Sequence, residues 1–254
     1  MPRFLRQQGF TICKDAWLTM CRDQQAKGRQ DGAVFGNGAM TLPLALQLAL
    51  NYSPDALRPM YSSFFQLDAM FDRVVTSATE PMLAQIRLAW WREGLNRDGT
   101  TGADQTPLML EAHHSWGSPA LPLVDLVDGW GRLVAGALDS ETADAFCKGR
   151  EAVAAAVAER AGLKISTDAV RCSARRWSLA DLLHRGANTE ERDCIRAELR
   201  RMPTAAARAR LPAELRPFAV LDALGRRAIA KGGTNLADGR GSVAVAMRAG
   251  LLGR

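Results

Sequence analysis

Apolar residues recur at helical spacing along most of the chain. Between Pro59 and Ser77, the positions Met60, Phe64, Leu67, Phe71 and Val74 are three and four apart, so they share one face of a helix. Thr79 and Pro81 open a second segment ending near Asp98-Gly99, with Met82, Leu83, Ile86 and Trp90 as its apolar stripe. The same pattern predicts helices over 42–51, 107–115, 121–138, 141–161, 167–185, 189–201, 214–231 and 242–252. Thr41, Ser53, Ser140, Ser166, Asn188 and Ser242 are the expected N-caps, because a side-chain oxygen there accepts from a free backbone N–H. Gly162, Gly186 and Gly232 are the expected stops. No stretch alternates with period two, so no strand is predicted. The fold class is all-α, a single bundle of about eight helices. Residues 1–40 break the pattern, with Gly28, Gly32, Gly36 and Gly38 among polar residues. The expected division is a poorly patterned extension over 1–40 and a helical domain over 41–254.

Composition narrows the class. No run of 18 apolar residues occurs, so no membrane-spanning helix is predicted, and the first residues, Met1-Pro2-Arg3-Phe4-Leu5-Arg6, lack a secretory signal. There are 33 basic and 27 acidic residues, and only five of the basic ones are lysines. Arginine's planar fork of donors suits anionic ligands or lipid headgroups. The arginines are scattered and no recognition module is visible, so a nucleic-acid partner is not expected. The five cysteines (Cys13, Cys21, Cys147, Cys172, Cys194) have no C-x-x-C spacing, and the three histidines have no zinc spacing. A reducing, cytoplasmic setting is expected.

Two segments carry candidate chemistry. Asp68 and Asp72 are four apart, so a helix aims both carboxylates the same way at a cost of about 0.5 kcal/mol or less. A bound Mg²⁺ would offset that cost, because it takes one or two carboxylates together with substrate phosphates. A solvated helix face is the alternative. Further on, Trp90 and Trp91 point about 100° apart on a helix, so one can enter the core while the other lines a neighbouring cavity. Arg87 and Arg92 fall on the polar flank of the same helix. Asp125 and Asp128 read as cap or surface charge, and Gly239-Arg240-Gly241-Ser242 reads as a flexible helix entry.

Several motifs together resemble the squalene/phytoene synthase family, the head-to-head prenyl transferases. They are Arg58-Pro59, Leu67-Asp68-Ala69, Glu80-Pro81 and the run Ile86-Arg87-Leu88-Ala89-Trp90-Trp91-Arg92-Glu93-Gly94-Leu95. Ala174-Arg175-Arg176-Trp177-Ser178-Leu179-Ala180-Asp181-Leu182-Leu183 is similar to the family's G-R-A-W-A-L-A-D-L-L segment. Leu211-Pro212-Ala213-Glu214-Leu215-Arg216-Pro217 is similar to its L-P-x-x-L-R-P segment. The resemblance covers about residues 41–254 and is strongest to a branch that includes bacterial relatives of mitochondrial complex I assembly factors.

The resemblance implies a helical bundle around a central apolar cavity. It also implies two D-x-x-x-D motifs on facing helices, holding Mg²⁺ on the diphosphates of two prenyl substrates. Here the first motif falls on Asp72-Arg73-Val74-Val75-Thr76 and keeps one aspartate; in another register Asp68 and Asp72 form the pair. The second falls on Arg185-Gly186-Ala187-Asn188-Thr189, which has no carboxylate. Ser178, Asp181 and His184 stand at the polar positions preceding it. The expectation is a non-catalytic isoprenoid- or lipid-binding or assembly-factor-like relative. It would be cytoplasmic, peripheral to the inner membrane, and a partner of a membrane complex. The alternative is an active Mg²⁺-dependent prenyl transferase, with Asp68, Asp72 and Asp181 catalytic and Asp68 and Asp72 on the metal. Arg58, Arg87 and Arg92 would contact diphosphate or headgroup, and Phe65, Trp90 and Trp91 would contact the substrate's apolar part. On this reading the net charge of +6 is partly a record of lost metal sites, Arg185 being the clearest case.

Overall fold

The computed structural model describes residues 41–98, 106–163, 167–203 and 210–253. Leu42–Arg254 forms one compact unit. The predicted cap Ser166 and the extension over 1–40 lie outside the described residues.

Among the described residues there are ten α-helices and no strand, against an expected eight or so helices. They are α1 (Leu44–Leu50), α2 (Arg58–Ser77), α3 (Pro81–Leu95), α4 (Pro107–Trp116) and α5 (Leu121–Ala135), followed by α6 (Ser140–Arg160), α7 (Thr167–Arg185), α8 (Thr189–Arg201), α9 (Arg216–Ala230) and α10 (Gly241–Leu252). Single 3₁₀ turns over Asp55–Leu57 and Ala213–Leu215 lead into α2 and α9.

The predicted stripe of α2 is buried in full: Met60, Phe64, Leu67, Phe71 and Val74 all face inward. The stripe of α3 differs. Ala84, Leu88, Trp91 and Leu95 are buried, at spacings of four, three and four, whereas Met82 is 48% exposed. Either tryptophan completes a helical stripe, and Trp91 is the one that enters the core, with Phe71 of α2 against it at a ring separation of 5.9 Å.

The caps also move by a residue in places. Asp139, not Ser140, caps α6, accepting from the Thr142 N–H at 2.8 Å. Its ionised carboxylate is the stronger acceptor beside a helix N-terminus. Asn188 caps α8 as expected, accepting from Glu191 N–H at 2.9 Å. The Ser53 and Ser242 hydroxyls instead donate to backbone carbonyls of Leu50 and Gly239. At α1 the N-cap position is Pro43, not Thr41, and it makes no side-chain capping hydrogen bond. Gly162 and Gly232 end their segments in the left-handed region, at φ 65° and 82°.

The helices pack as α5 on α6, α6 on α7, α7 on α9 and α9 on α10, with α3 against α5 and α1 against α9. α2 packs on α4, α5 and α3, and does not pack closely along α7. Side chains bridge the two instead: Phe64 of α2 meets the edge of Trp177 of α7 at 6.1 Å. The separation between α2 and α7 leaves room for a cavity.

Candidate functional site

Two rows of side chains four residues apart face this space. α2 presents Asp68, Asp72 and Thr76, and α7 presents Trp177, Asp181 and Arg185. On a helix such spacing stacks side chains along one face. Together with Trp130 of α5, Arg150 of α6, Pro43–Leu46 at α1 and Asn235–Ala237 before α10, they line a cavity of about 550 Å³. That volume is within the range of small-molecule sites.

One wall is a chain of alternating charges. Arg150 donates from Nε to Asp68 Oδ1 at 3.1 Å and from Nη2 to Asp68 Oδ2 at 2.8 Å. The same Nη2 donates to Asp181 Oδ2 at 3.0 Å. Arg185 continues the chain, with Nε 3.2 Å from Asp181 Oδ1 and Nη1 donating to Asp72 Oδ1 at 2.7 Å. The order is therefore Asp68, Arg150, Asp181, Arg185, Asp72. Side-chain exposure rises along it from 4% at Asp68 to 32% at Asp72, so the chain runs from the core to the cavity mouth.

Aromatic rings hold the inner guanidinium. The Arg150 carbon lies 4.0 Å from the Trp177 centroid, 4.5 Å from Phe146 and 5.6 Å from Trp130. A desolvated cation over a ring gains about 2 kcal/mol. Trp130 Nε1 also donates to Asp68 Oδ1 at 2.9 Å. Burial pushes the Asp68 carboxyl up, and Arg150 and Trp130 pull it only part of the way back. Asp181 is held below the usual carboxylate range: burial works to raise it, but Arg185 and Arg150 outweigh that. Two guanidinium nitrogens of the ion chain, Arg150 Nη1 and Arg185 Nε, are buried without a hydrogen bond of good geometry, although Arg185 Nε lies 3.2 Å from Asp181 Oδ1.

The sequence-predicted residues separate into two groups. Asp68, Asp72 and Asp181 converge on the cavity. The others lie elsewhere. Phe65 is fully buried among Tyr61 and Phe64. Trp91 is in the core of α2 and α3, and Trp90 is half-buried against it at 5.1 Å. Arg92 donates to Asp128 of α5 at 2.6 Å, which gives Asp128 a partner. Arg87 is half-buried on α3, and Arg58 is exposed at the start of α2. Before α10, Arg227 donates to the Asp238 carbonyl at 2.6 Å and so fastens the entry at Gly239–Ser242.

Arg150 escaped the sequence reading, although a signal for it exists. It falls in the apolar stripe of α6 with Phe146, Val153 and Val157, where a lone arginine is out of place unless paired. Asp222 is a parallel case. It is buried in the apolar face of α9 and pairs with Arg176 of α7 and with Arg226.

These carboxylates do not form a Mg²⁺ site as arranged. Both oxygens of Asp68 and both of Asp181 already face guanidinium nitrogens, and Asp72 Oδ1 faces Arg185. Among the described residues, no group of three His, Cys, Asp or Glu side chains is disposed to hold a metal. Magnesium needs carboxylate oxygens free of competing cations, which this arrangement of side chains does not present. Comparison of the chain with known protein families, with curated proteins and with solved structures finds no match.

Proposed function

We propose that this chain is a non-catalytic relative of the squalene/phytoene synthases whose cavity holds an isoprenoid or lipid-like molecule. The observation that carries the reading is Arg150, bonded at once to Asp68 and Asp181. The resemblance calls for divalent metal between facing acidic helices. In this chain a guanidinium, charged at every accessible pH, bridges the aspartates of α2 and α7. Arg185 does the same between Asp181 and Asp72. Two fixed cations are paired with the three carboxylates and offer no open coordination position to a leaving diphosphate. The apolar part of the cavity, with Leu44, Leu46, Trp130 and Trp177, suits a hydrocarbon chain.

The test is an assay of the purified full chain with farnesyl or geranylgeranyl diphosphate and Mg²⁺. Diphosphate release is expected to stay at the level of the protein-free blank. Multiple turnovers that vanish in the Asp68→Asn variant would overturn the proposal in favour of an active prenyl transferase.

A second reading concerns the surface. Val243, Met247 and Leu251 form an exposed stripe four residues apart on α10, next to exposed Leu252, and Arg240 and Arg248 are exposed near it. Among the described residues no helix is long and apolar enough to cross a membrane. An apolar face flanked by arginines suits peripheral contact with an anionic membrane surface. The chain is expected to float with anionic liposomes and much less with neutral ones. Retention of flotation in the Met247→Asp, Leu251→Asp double variant would remove α10 from this role.

A further inference from the structure

We infer that the cavity opens onto an anionic bilayer. α1 and α10 together form one membrane-contact face with the cavity mouth at its end, so a lipid-like occupant passes between membrane and cavity without crossing water. The inference rests on the cavity reading and on the membrane role of α10 above, and joins them.

Three observations lead there. The first is where exposed apolar side chains gather. Among the described residues eight large ones are exposed, and five of them, Leu44, Val243, Met247, Leu251 and Leu252, belong to α1 and α10. Apolar side chains concentrated in this way mark a contact surface, whereas single scattered ones do not. Leu48, four residues after Leu44, is half-buried, so the outer side of α1 stays apolar along its length.

The second is how the two helices are placed. Pro43–Leu46, at the start of α1, line the cavity, and so do Asn235–Ala237, just before α10. At the far end Tyr52, just past α1, packs on Gly250 of α10, where a Cβ would lie 2.4 Å from the tyrosine ring. The two helices therefore run side by side in one direction, away from the mouth. At about 1.5 Å per residue, the stripe from Val243 to Leu251 covers about 12 Å of that path. Leu44 stands at the junction, since it lines the cavity and is also 48% exposed. An apolar side chain at an open mouth is stabilised by acyl chains and not by water.

The third is charge. α1 and α10 comprise nineteen residues with no carboxylate and one cation, Arg248, in a chain that is 24% charged. Arg240 directly precedes α10, and both arginines are exposed. A face that is apolar, free of carboxylates and edged by arginine matches an anionic membrane surface. The rest of the rim is polar, with Thr76, His184 and the Asp72–Arg185 pair, and suits the headgroup layer.

The experiment places a photocrosslinker, p-benzoylphenylalanine, at single positions of the full chain. Leu44 reports on the mouth and Met247 on the stripe. Leu121, 55% exposed on α5, is the control, because α5 packs on α2, α3 and α6. Asn235, an exposed mouth residue outside any helix, is a second mouth position that covers a failure of the Leu44 variant to fold. The variants are irradiated with vesicles of equal parts phosphatidylcholine and phosphatidylglycerol, radiolabelled in the acyl chains. Label on the protein is expected to be about tenfold higher at Met247 and at a mouth position than at Leu121, and to fall at both with phosphatidylcholine alone. Labelling of Met247 with both mouth positions at the Leu121 level would overturn the inference and leave the α10 reading and the cavity reading standing. Equal labelling at every position would overturn the inference and the membrane role of α10 together, and would leave the cavity reading to the diphosphate-release assay.

Discussion

Replacing Arg150 with methionine is expected to destabilise the helical unit by about 3–5 kcal/mol, the cost of leaving one member of a buried ion pair alone. The side chain is 2% exposed and its carboxylate partner 4%, so water does not screen the loss. Methionine keeps much of the volume between Phe146 and Trp177, which separates the electrostatic effect from a packing effect. The measurement is a urea unfolding midpoint. The double variant Arg150→Met, Asp68→Asn should recover a large part of the loss, because an amide is far cheaper to bury than a carboxylate. A single variant within about 1 kcal/mol of the parent would mean that the buried pair contributes no more than a surface one.

The same pair gives the sign of a pH effect. Burial raises the Asp68 carboxyl, and Arg150 is the main influence pulling it back. Without Arg150 the folded-state value moves further above the unfolded one. A group raised in this way favours folding below its unfolded value and costs stability as pH rises toward its folded value. The gap between parent and Arg150→Met is therefore expected to narrow from pH 7 to pH 5, as Asp68 takes up its proton. The double variant, which has no carboxylate at position 68, serves as the reference. A gap in the single variant that does not depend on pH would assign the loss to packing.

Periodicity carried the fold because each stripe is a local property of ten to twenty residues. The face of α2 is read correctly from Met60 to Val74. α3 shows the limit of that approach. Trp90 and Trp91 are equally apolar, and only packing against Phe71 decides that Trp91 turns inward. At α6, Asp139 and Ser140 are both good caps in sequence, and the choice depends on which oxygen reaches Thr142 N–H. The acidic residues of the site were legible as carboxylates at helical spacing. Their partner was not, because Arg150 is 82 residues from Asp68 and 31 from Asp181, and no local pattern records such a pairing. What the sequence does register is an arginine in line with Phe146, Val153 and Val157. That anomaly, together with Arg185 on α7, is where part of the basic excess comes to rest: two cations inside the molecule, bonded to three aspartates.

Gly149→Val is expected to cost about 2–3 kcal/mol, the upper part of the range for overpacking a close contact. A Cβ at Gly149 would lie 2.7 Å from the Asp125 carbonyl oxygen and 3.1 Å from Leu126 Cα. Gly129 makes the reciprocal contact, since a Cβ there would lie 3.2 Å from the Ala145 carbonyl oxygen and 3.3 Å from Phe146 Cα. Both obstacles are backbone, which cannot rotate away as a side chain can. The two glycines thus let α5 and α6 approach closely along residues 125–129 and 145–149, and the approach sets the site. Trp130 follows Gly129, and Arg150 follows Gly149. Driving the helices apart therefore moves Trp130 off Asp68, to which it donates at 2.9 Å, and opens the ring enclosure of Arg150. Gly131, on the same helix, meets nothing within 4 Å of a built Cβ. Gly131→Ala should be neutral, or stabilising by up to about 1 kcal/mol through helix propensity alone. Urea midpoints for the two variants decide the matter: a Gly149→Val protein as stable as Gly131→Ala would show that the helices separate freely, and that their close approach does not hold Arg150 in place.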